Sequence, residues 1–457
     1  MRFRVRDVAT TRRWSAVGAE TGAITSAIVI LVYSVLCSGS AVLGSDATES
    51  HLVARGFDSG FELSNGTFNG MLAARDGKIY YVLCSASIDT GAQMYSYDPT
   101  TDKIEHLGDL TEASGEKGLN AIPQGKSHVN FVEFEGKLYF ATHASWPAAK
   151  DDRERMAPPP PGYKPYPGGH FLAYDLVSRK FENLAQAPIG QGILSMSMDI
   201  KRGRLYGLLW PSGNFVRFDL KSRELKSIHP PSREGEVLCR ALPVDPTDGS
   251  VYFSNADGDI LRYRYDRDAI ETIQGDNLRK DYFGTWHPSE GKDMGYGWRQ
   301  AVWYAPEKAI YAIHGRSAYL FRFDPRAERV DVLQRVASEP SMRSGMYDAF
   351  PLGYLSFTLG PDGHTFYYMT EGAIVERGRR VVDRRELAED LHLVTFDLRA
   401  AKYTDLGAIF FSDGGRPGLV NSIAVGQDGS VYCITDIPGK GRSHIDLVRI
   451  RSVPAAE

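Results

Sequence analysis

Gly77-Lys78-Ile79-Tyr80 is a turn glycine followed by a polar, an aliphatic and an aromatic residue, and the phrase returns along the chain. It reads Gly136-Lys137-Leu138-Tyr139, Gly203-Arg204-Leu205-Tyr206, Gly249-Ser250-Val251-Tyr252, Lys308-Ala309-Ile310-Tyr311, Gly363-His364-Thr365-Phe366 and Gly429-Ser430-Val431-Tyr432. A second phrase, an aromatic residue then Asp then a turn, follows six of the seven copies. Its instances are Tyr97-Asp98-Pro99, Tyr174-Asp175-Leu176, Phe218-Asp219-Leu220, Tyr265-Asp266, Phe323-Asp324-Pro325 and Phe396-Asp397-Leu398. A short strand such as Ile104-Glu105-His106-Leu107 or Val330-Asp331-Val332-Leu333 comes next.

Each unit is thus a run of short strands of period two, bounded by Gly, Asp and Pro turns. A small sheet cannot bury both its faces alone, and stacking such sheets around an axis solves this. The repeat predicts an all-β, seven-bladed β-propeller with four-stranded blades over residues 46–457. The aromatic of each phrase should pack between neighbouring blades. The seventh unit ends near Val448-Arg449-Ile450, one strand short. His51-Leu52-Val53-Ala54 has no other partner, so it is predicted to supply the missing outer strand and close the ring, removing two exposed edges. A closed ring needs no second subunit to hide its edges, which favours a monomer. Long insertions are expected at 147–169, rich in Pro, and at 274–297 and 371–390.

Composition agrees with a large globular β-fold. The chain has 457 residues, 42% hydrophobic and 11% aromatic, with 46 glycines. A net charge of −4 argues against a general nucleic-acid binder, which needs a basic face. Cys37, Cys84, Cys239 and Cys433 form no C-x-x-C pair, which excludes a structural zinc site of that kind. Cys84, Cys239 and Cys433 are expected to be buried free thiols.

Residues 1–45 have the layout of an export segment. Arg2, Arg4, Arg6, Arg12 and Arg13 precede the apolar run Ile24 to Leu36, and small residues Ser38 to Ala41 follow. Two outcomes stay open: a cleaved signal peptide or a retained N-terminal membrane anchor. Both place the rest of the chain outside the cytoplasmic membrane, whether periplasmic, secreted or membrane-anchored.

The register also picks out candidate site residues. Eleven or twelve positions before each marker aromatic stand Asn69, His128, Ser195, Arg240, Arg299, Tyr354 and Asn421, none of them aliphatic. These positions open the innermost strands, so their side chains should converge at one mouth of the channel. The second strands end on the same face and bring His143, Trp210, Asn255 and His314. The third strand of the second unit begins there with Gly168-Gly169-His170. A solvated channel lining and a ligand pocket both fit such a ring. Two arginines, Arg240 and Arg299, suit a carboxylate held by paired hydrogen bonds. His128, His143 and His170 offer neutral imidazoles, either as bases or as three ligands to a divalent metal ion. Tyr354 can return a proton to a leaving oxygen. Asn69, Ser195, Trp210, Asn255, His314 and Asn421 would line the substrate. The inner-strand starts offer no facing carboxylates of the glycosidase type, and no G-x-S-x-G elbow occurs.

In architecture and residue types the set resembles the propeller-type polysaccharide lyases. That resemblance implies β-elimination on a uronate-containing, acidic polysaccharide, often with a metal ion. It rests on no position-by-position motif. The alternative from another class is a non-catalytic propeller that binds a glycan, another anionic molecule or a protein at the same mouth.

Overall fold

The computed structural model describes residues 51–145, 156–231, 238–283, 295–315, 317–339, 342, 356–370, 375–376, 379–380, 391–418, 420–439 and 444–453. The chain falls into two compact units, Met1–Ala47 and Thr48–Glu457. The predicted export segment lies outside the described residues, as does Tyr354. Among the described residues no helix is long and apolar enough to cross a membrane.

The second unit is all-β and repeats one antiparallel meander. After β1 (His51–Gly56), the first sheet holds β2 (Met71–Ala73), β3 (Ile79–Leu83), β4 (Gln93–Asp98) and β5 (Lys103–Asp109). One helical turn, α1 (Leu110–Ala113), leads on; Asp109 caps it by accepting from the amides of Thr111 and Glu112. The second sheet holds β6 (Val132–Phe134), β7 (Lys137–Ala141), β8 (His170–Asp175) and β9 (Phe181–Gln186). The third holds β10 (Gly192–Asp199), β11 (Arg204–Trp210), β12 (Phe215–Asp219) and β13 (Leu225–Ile228). The fourth has β14 (Val251–Ser254), β15 (Ile260–Arg264) and β16 (Ala269–Thr272), and the fifth β17 (Trp298–Tyr304), β18 (Ala309–His314), β19 (Tyr319–Asp324) and β20 (Arg329–Arg335).

The remaining strands share one eight-stranded sheet. They are β21 (Phe357–Leu359), β22 (Thr365–Thr370), β25 (His392–Asp397), β26 (Lys402–Phe411), β27 (Ala424–Val425), β28 (Val431–Ile437) and β29 (His444–Val453), with β1 between β26 and β29. A separate hairpin, β23 (Val375–Glu376) and β24 (Arg379–Arg380), lies in the arginine-rich insertion.

Two details depart from seven separate four-stranded sheets. The fourth sheet has three strands, because the run Ala241-Leu242-Pro243-Val244 makes only one isolated bridge, Val244 to Val251. Pro243 has no N–H to give to a ladder. The second departure is at β1. It pairs antiparallel with β29, Ala54 opposite Ile450, as the sequence predicts. It also pairs in parallel with β26, Leu52 opposite Ile409, which fuses the last two meanders into one sheet.

The marker aromatics do what their spacing predicts. Tyr80, Tyr139, Tyr206, Tyr252, Tyr311, Phe366 and Tyr432 are all buried. Five of them meet an aromatic ring of a neighbouring meander: Tyr80 with Tyr174, Tyr206 with Tyr263, Tyr252 with Phe323, Tyr311 with Phe366, and Tyr432 with Tyr97, at 5.5–6.5 Å between centroids. Such pairs each add about 0.5–1.5 kcal/mol beyond area burial. The turn before the marker needs a left-handed residue; Gly77 sits at φ 83°, and Lys308, which replaces glycine in the fifth copy, at φ 50°. Cys84, Cys239 and Cys433 are free and buried.

Candidate functional site

Segments that lead into the first strands of several meanders meet through side chains from distant parts of the chain. Asn69 is the node. Its backbone N–H donates to the Asn421 carbonyl at 2.8 Å, and its Nδ2 donates to the His128 carbonyl at 3.1 Å. Its Oδ1 accepts from Gln300 Nε2 at 2.6 Å. Asn69 holds φ at 74°, a left-handed value that asparagine tolerates better than most residues. One residue thus ties the first meander to the second, the fifth and the last.

His128 lies beside this node. Its Nδ1 is 3.2 Å from Arg240 Nη1. Phe68 stacks on its ring at 4.8 Å, and His143 meets it edge-on at 4.7 Å. His143 follows β7 and is held by reciprocal backbone bonds with Lys126. Trp210, at the end of β11, covers His143 at 5.4 Å. Gly192 makes this packing possible: a β-carbon there would fall 2.5 Å from the His143 ring. The Nδ1 of His143 lies 3.4 Å from the Ala144 carbonyl, while its buried Nε2 has no hydrogen-bond partner.

The electrostatics of the cluster are one-sided. Burial, then His143, Arg240 and Lys126, hold His128 well below the ordinary histidine range. Burial, then Lys126, lowers His143 to about 3. Burial also lowers Lys126, with Arg240 adding to the effect. Among the described residues no carboxylate figures among the causes for any of the three. Both imidazoles are therefore neutral at physiological pH, in a neighbourhood that carries two cations.

The other predicted site residues divide. Asn421 joins the node through its backbone, and its buried Oδ1 has no partner. Ser195 is buried and donates to the Cys239 carbonyl at 3.3 Å, next to Arg240. Arg299 is 2% exposed, in a bulge of β17 between Trp298 and Gln300. His314 is fully buried and its Nδ1 is 2.8 Å from Ser317 Oγ. Asn255 closes a local turn instead, accepting from the amide of Asp259 and donating to its carboxylate.

His170 is a correction. Its Nε2 is 2.7 Å from Glu116 Oε1 and its Nδ1 is 3.0 Å from Asn183 Oδ1, so both ring nitrogens are taken. The buried Glu116, from the connection after α1, and Gln124, which donates to it at 2.9 Å, hold it in a structural network. The three-imidazole metal site fails with it. Among the described residues the group of potential ligands that does lie close together is Asp58, His444 and Asp446. There both Asp446 oxygens already accept, from the Ser59 amide and hydroxyl and from the Leu447 amide.

Sequence reasoning missed Lys126 and Gln300. Lys126 stands two residues before His128, the spacing that puts extended side chains on one face, and this signal was available. Gln300, one residue after Arg299 and beside the bulge in β17, is the residue that reaches Asn69.

No family model matches the chain, and no curated protein matches it. Among solved structures, the mitotic checkpoint complex matches at 10% identity over 93% of this chain and 99% of that chain, TM-score 0.49. A Mycobacterium tuberculosis puromycin-hydrolyzing peptidase matches at 11% identity over 85% of this chain and 52% of that chain, TM-score 0.48. A nidogen/laminin complex matches at 10% identity over 74% of this chain and 96% of that chain, TM-score 0.41.

Proposed function

We propose that the meanders form a seven-bladed ring closed by β1, and that its mouth binds the carboxylate of an acidic glycan outside the cytoplasmic membrane. The observation that carries this reading is the meeting of Arg240 and Lys126 with two imidazoles, His128 and His143, in one cluster. Arg240 supplies the planar fork that fits a carboxylate. Trp210, which packs on His143, is of the residue type that suits the carbon face of a sugar ring. The export-type amino terminus supports a location where such polymers occur.

An elimination reaction at the same mouth is the second reading, favoured by the contact of Arg240 with His128 Nδ1. A uronate carboxylate that drew Arg240 away would leave that nitrogen bare. It could then take the proton beside the carboxylate while the C4–O bond breaks and the C4–C5 double bond forms. Tyr354 is the proposed donor to the leaving oxygen.

A panel of uronate polymers tests both readings. Binding without new ultraviolet absorbance supports a binding propeller. Absorbance from the conjugated double bond supports a lyase. Neither binding nor product on any member rejects the acidic-glycan reading.

A further inference from the structure

We infer that a groove beside the second sheet is a separate binding site for a small monocarboxylate with an apolar body, of the medium-chain fatty-acid class. It shares no residue with the mouth cluster and does not depend on the reading of the mouth.

Three connections build the groove: the one after α1, the one before β8 and the one after β9. They enclose a cavity of about 580 Å³, within the range of small-molecule sites. Leu119, Pro165, Pro167, Pro188 and Ile189 give it an apolar lining. Leu119 is 41% exposed and Ile189 is 78% exposed, so a concave apolar surface stands open to water. Among the described residues Lys164 is the one charged member of the lining.

The polar groups of the walls are already committed. The prolines have no N–H to offer. The amide of Leu119 donates to the Glu116 carbonyl at 3.1 Å, that of Lys164 to the Asn120 carbonyl at 2.7 Å, and that of Ala187 to the Gly169 carbonyl at 2.7 Å. Gln186 Nε2 donates to the Pro167 carbonyl at 3.0 Å. Lys117 nearby is paired with Glu112. Lys164 differs, since among the described residues no carboxylate pairs with its ammonium group. The complement of this groove is therefore one negative charge on an otherwise apolar molecule. A sugar polymer does not suit it, because buried hydroxyls would find no partners.

The groove is formed before any ligand arrives. Tyr166, between the two prolines, is 1% exposed and its hydroxyl donates to Gln124 Oε1 at 2.6 Å. Gln124 Nε2 donates to Glu116 at 2.9 Å and to the Gly168 carbonyl at 2.8 Å, which ties the first connection to the second. The Gly190 amide donates to the Tyr166 carbonyl at 2.9 Å and ties in the third. A preformed wall spares the ligand the cost of ordering it.

Calorimetric titration of hexanoate, octanoate and decanoate into the full chain tests the site. Saturable binding at one site is expected, tightening about three- to fourfold with each added methylene. Lys164→Gln should weaken octanoate about fivefold and leave octanol unchanged. Ile189→Asp, at an exposed position, should weaken both. Thermal melts check that each variant is folded. No saturable binding overturns the inference, as does equal binding of octanoate by the wild type and Lys164→Gln, or equal binding of octyltrimethylammonium and octanoate by the wild type. A dimer that Ile189→Asp dissociates would give the groove to a second copy of the chain and overturn it too.

Discussion

Gln300 Nε2 donates to Asn69 Oδ1 at 2.6 Å, although β17 and the approach to β2 are more than two hundred positions apart. Asn69 is 2% exposed, and its other bonds reach His128 and Asn421. Asn69→Ala would leave the Gln300 amide and the His128 carbonyl short of a partner and would force alanine into a left-handed backbone. A loss of about 2–3 kcal/mol is expected. Asn69→Gly keeps the backbone and loses only the side-chain bonds, so it should cost less than alanine. Denaturant midpoints of the two variants separate the contributions.

Lys308 bears a side chain at a turn where the other copies of the phrase carry glycine, and its φ is 50°. It is exposed, so its removal disturbs no packing. Lys308→Gly should therefore raise stability by about 1 kcal/mol, read as a higher melting temperature.

Arg217 grips Asp268 with two bonds, Nε to Oδ1 at 2.7 Å and Nη2 to Oδ2 at 2.9 Å. Lys226 and Tyr263 bind the same carboxylate, so the contact fastens the third sheet to the fourth. Arg217, then Lys226 and Tyr263, hold Asp268 far below the ordinary aspartate range, against the opposing effect of burial. A carboxyl depressed on folding stabilises the protein above its unfolded value, near 4, and that contribution fades as pH falls through the folded value. Asp268→Asn should thus cost about 2 kcal/mol at neutral pH. The gap from wild type should narrow steadily below about pH 4 in acid-unfolding curves.

β1 shields two strands at once, pairing with β29 on one side and β26 on the other. Arg55, in β1, and Arg449, in β29, both bind Asp102 of the first sheet. A chain beginning at residue 57 should expose both edges and aggregate, whereas one beginning at residue 48 should stay folded. Size-exclusion chromatography and melting curves distinguish the two.

The repeat made the meanders legible because each carries the same turn and the same buried aromatic. The partner of His51–Ala54 was legible because the last unit lacked a strand. Its second partner, β26, was not, since no local pattern marks a parallel edge pairing. Asn69 bonds to the backbone carbonyls of His128 and Asn421, and Arg240 meets the His128 ring. His170 does not, because its partner Glu116 comes from an irregular connection 54 residues earlier. Asn255 was captured by Asp259, a turn contact within its own hairpin. Gln300 was missed because a bulge shifts facing by one residue.

The central claim is that Arg240 and its neighbours hold a uronate carboxylate. The most direct measurement is calorimetric titration of trigalacturonate into the wild-type chain and into Arg240→Ala. Saturable binding by the wild type, weakened about tenfold or more in the variant, is the predicted result. No binding by the wild type, or equal binding by both, would contradict the account.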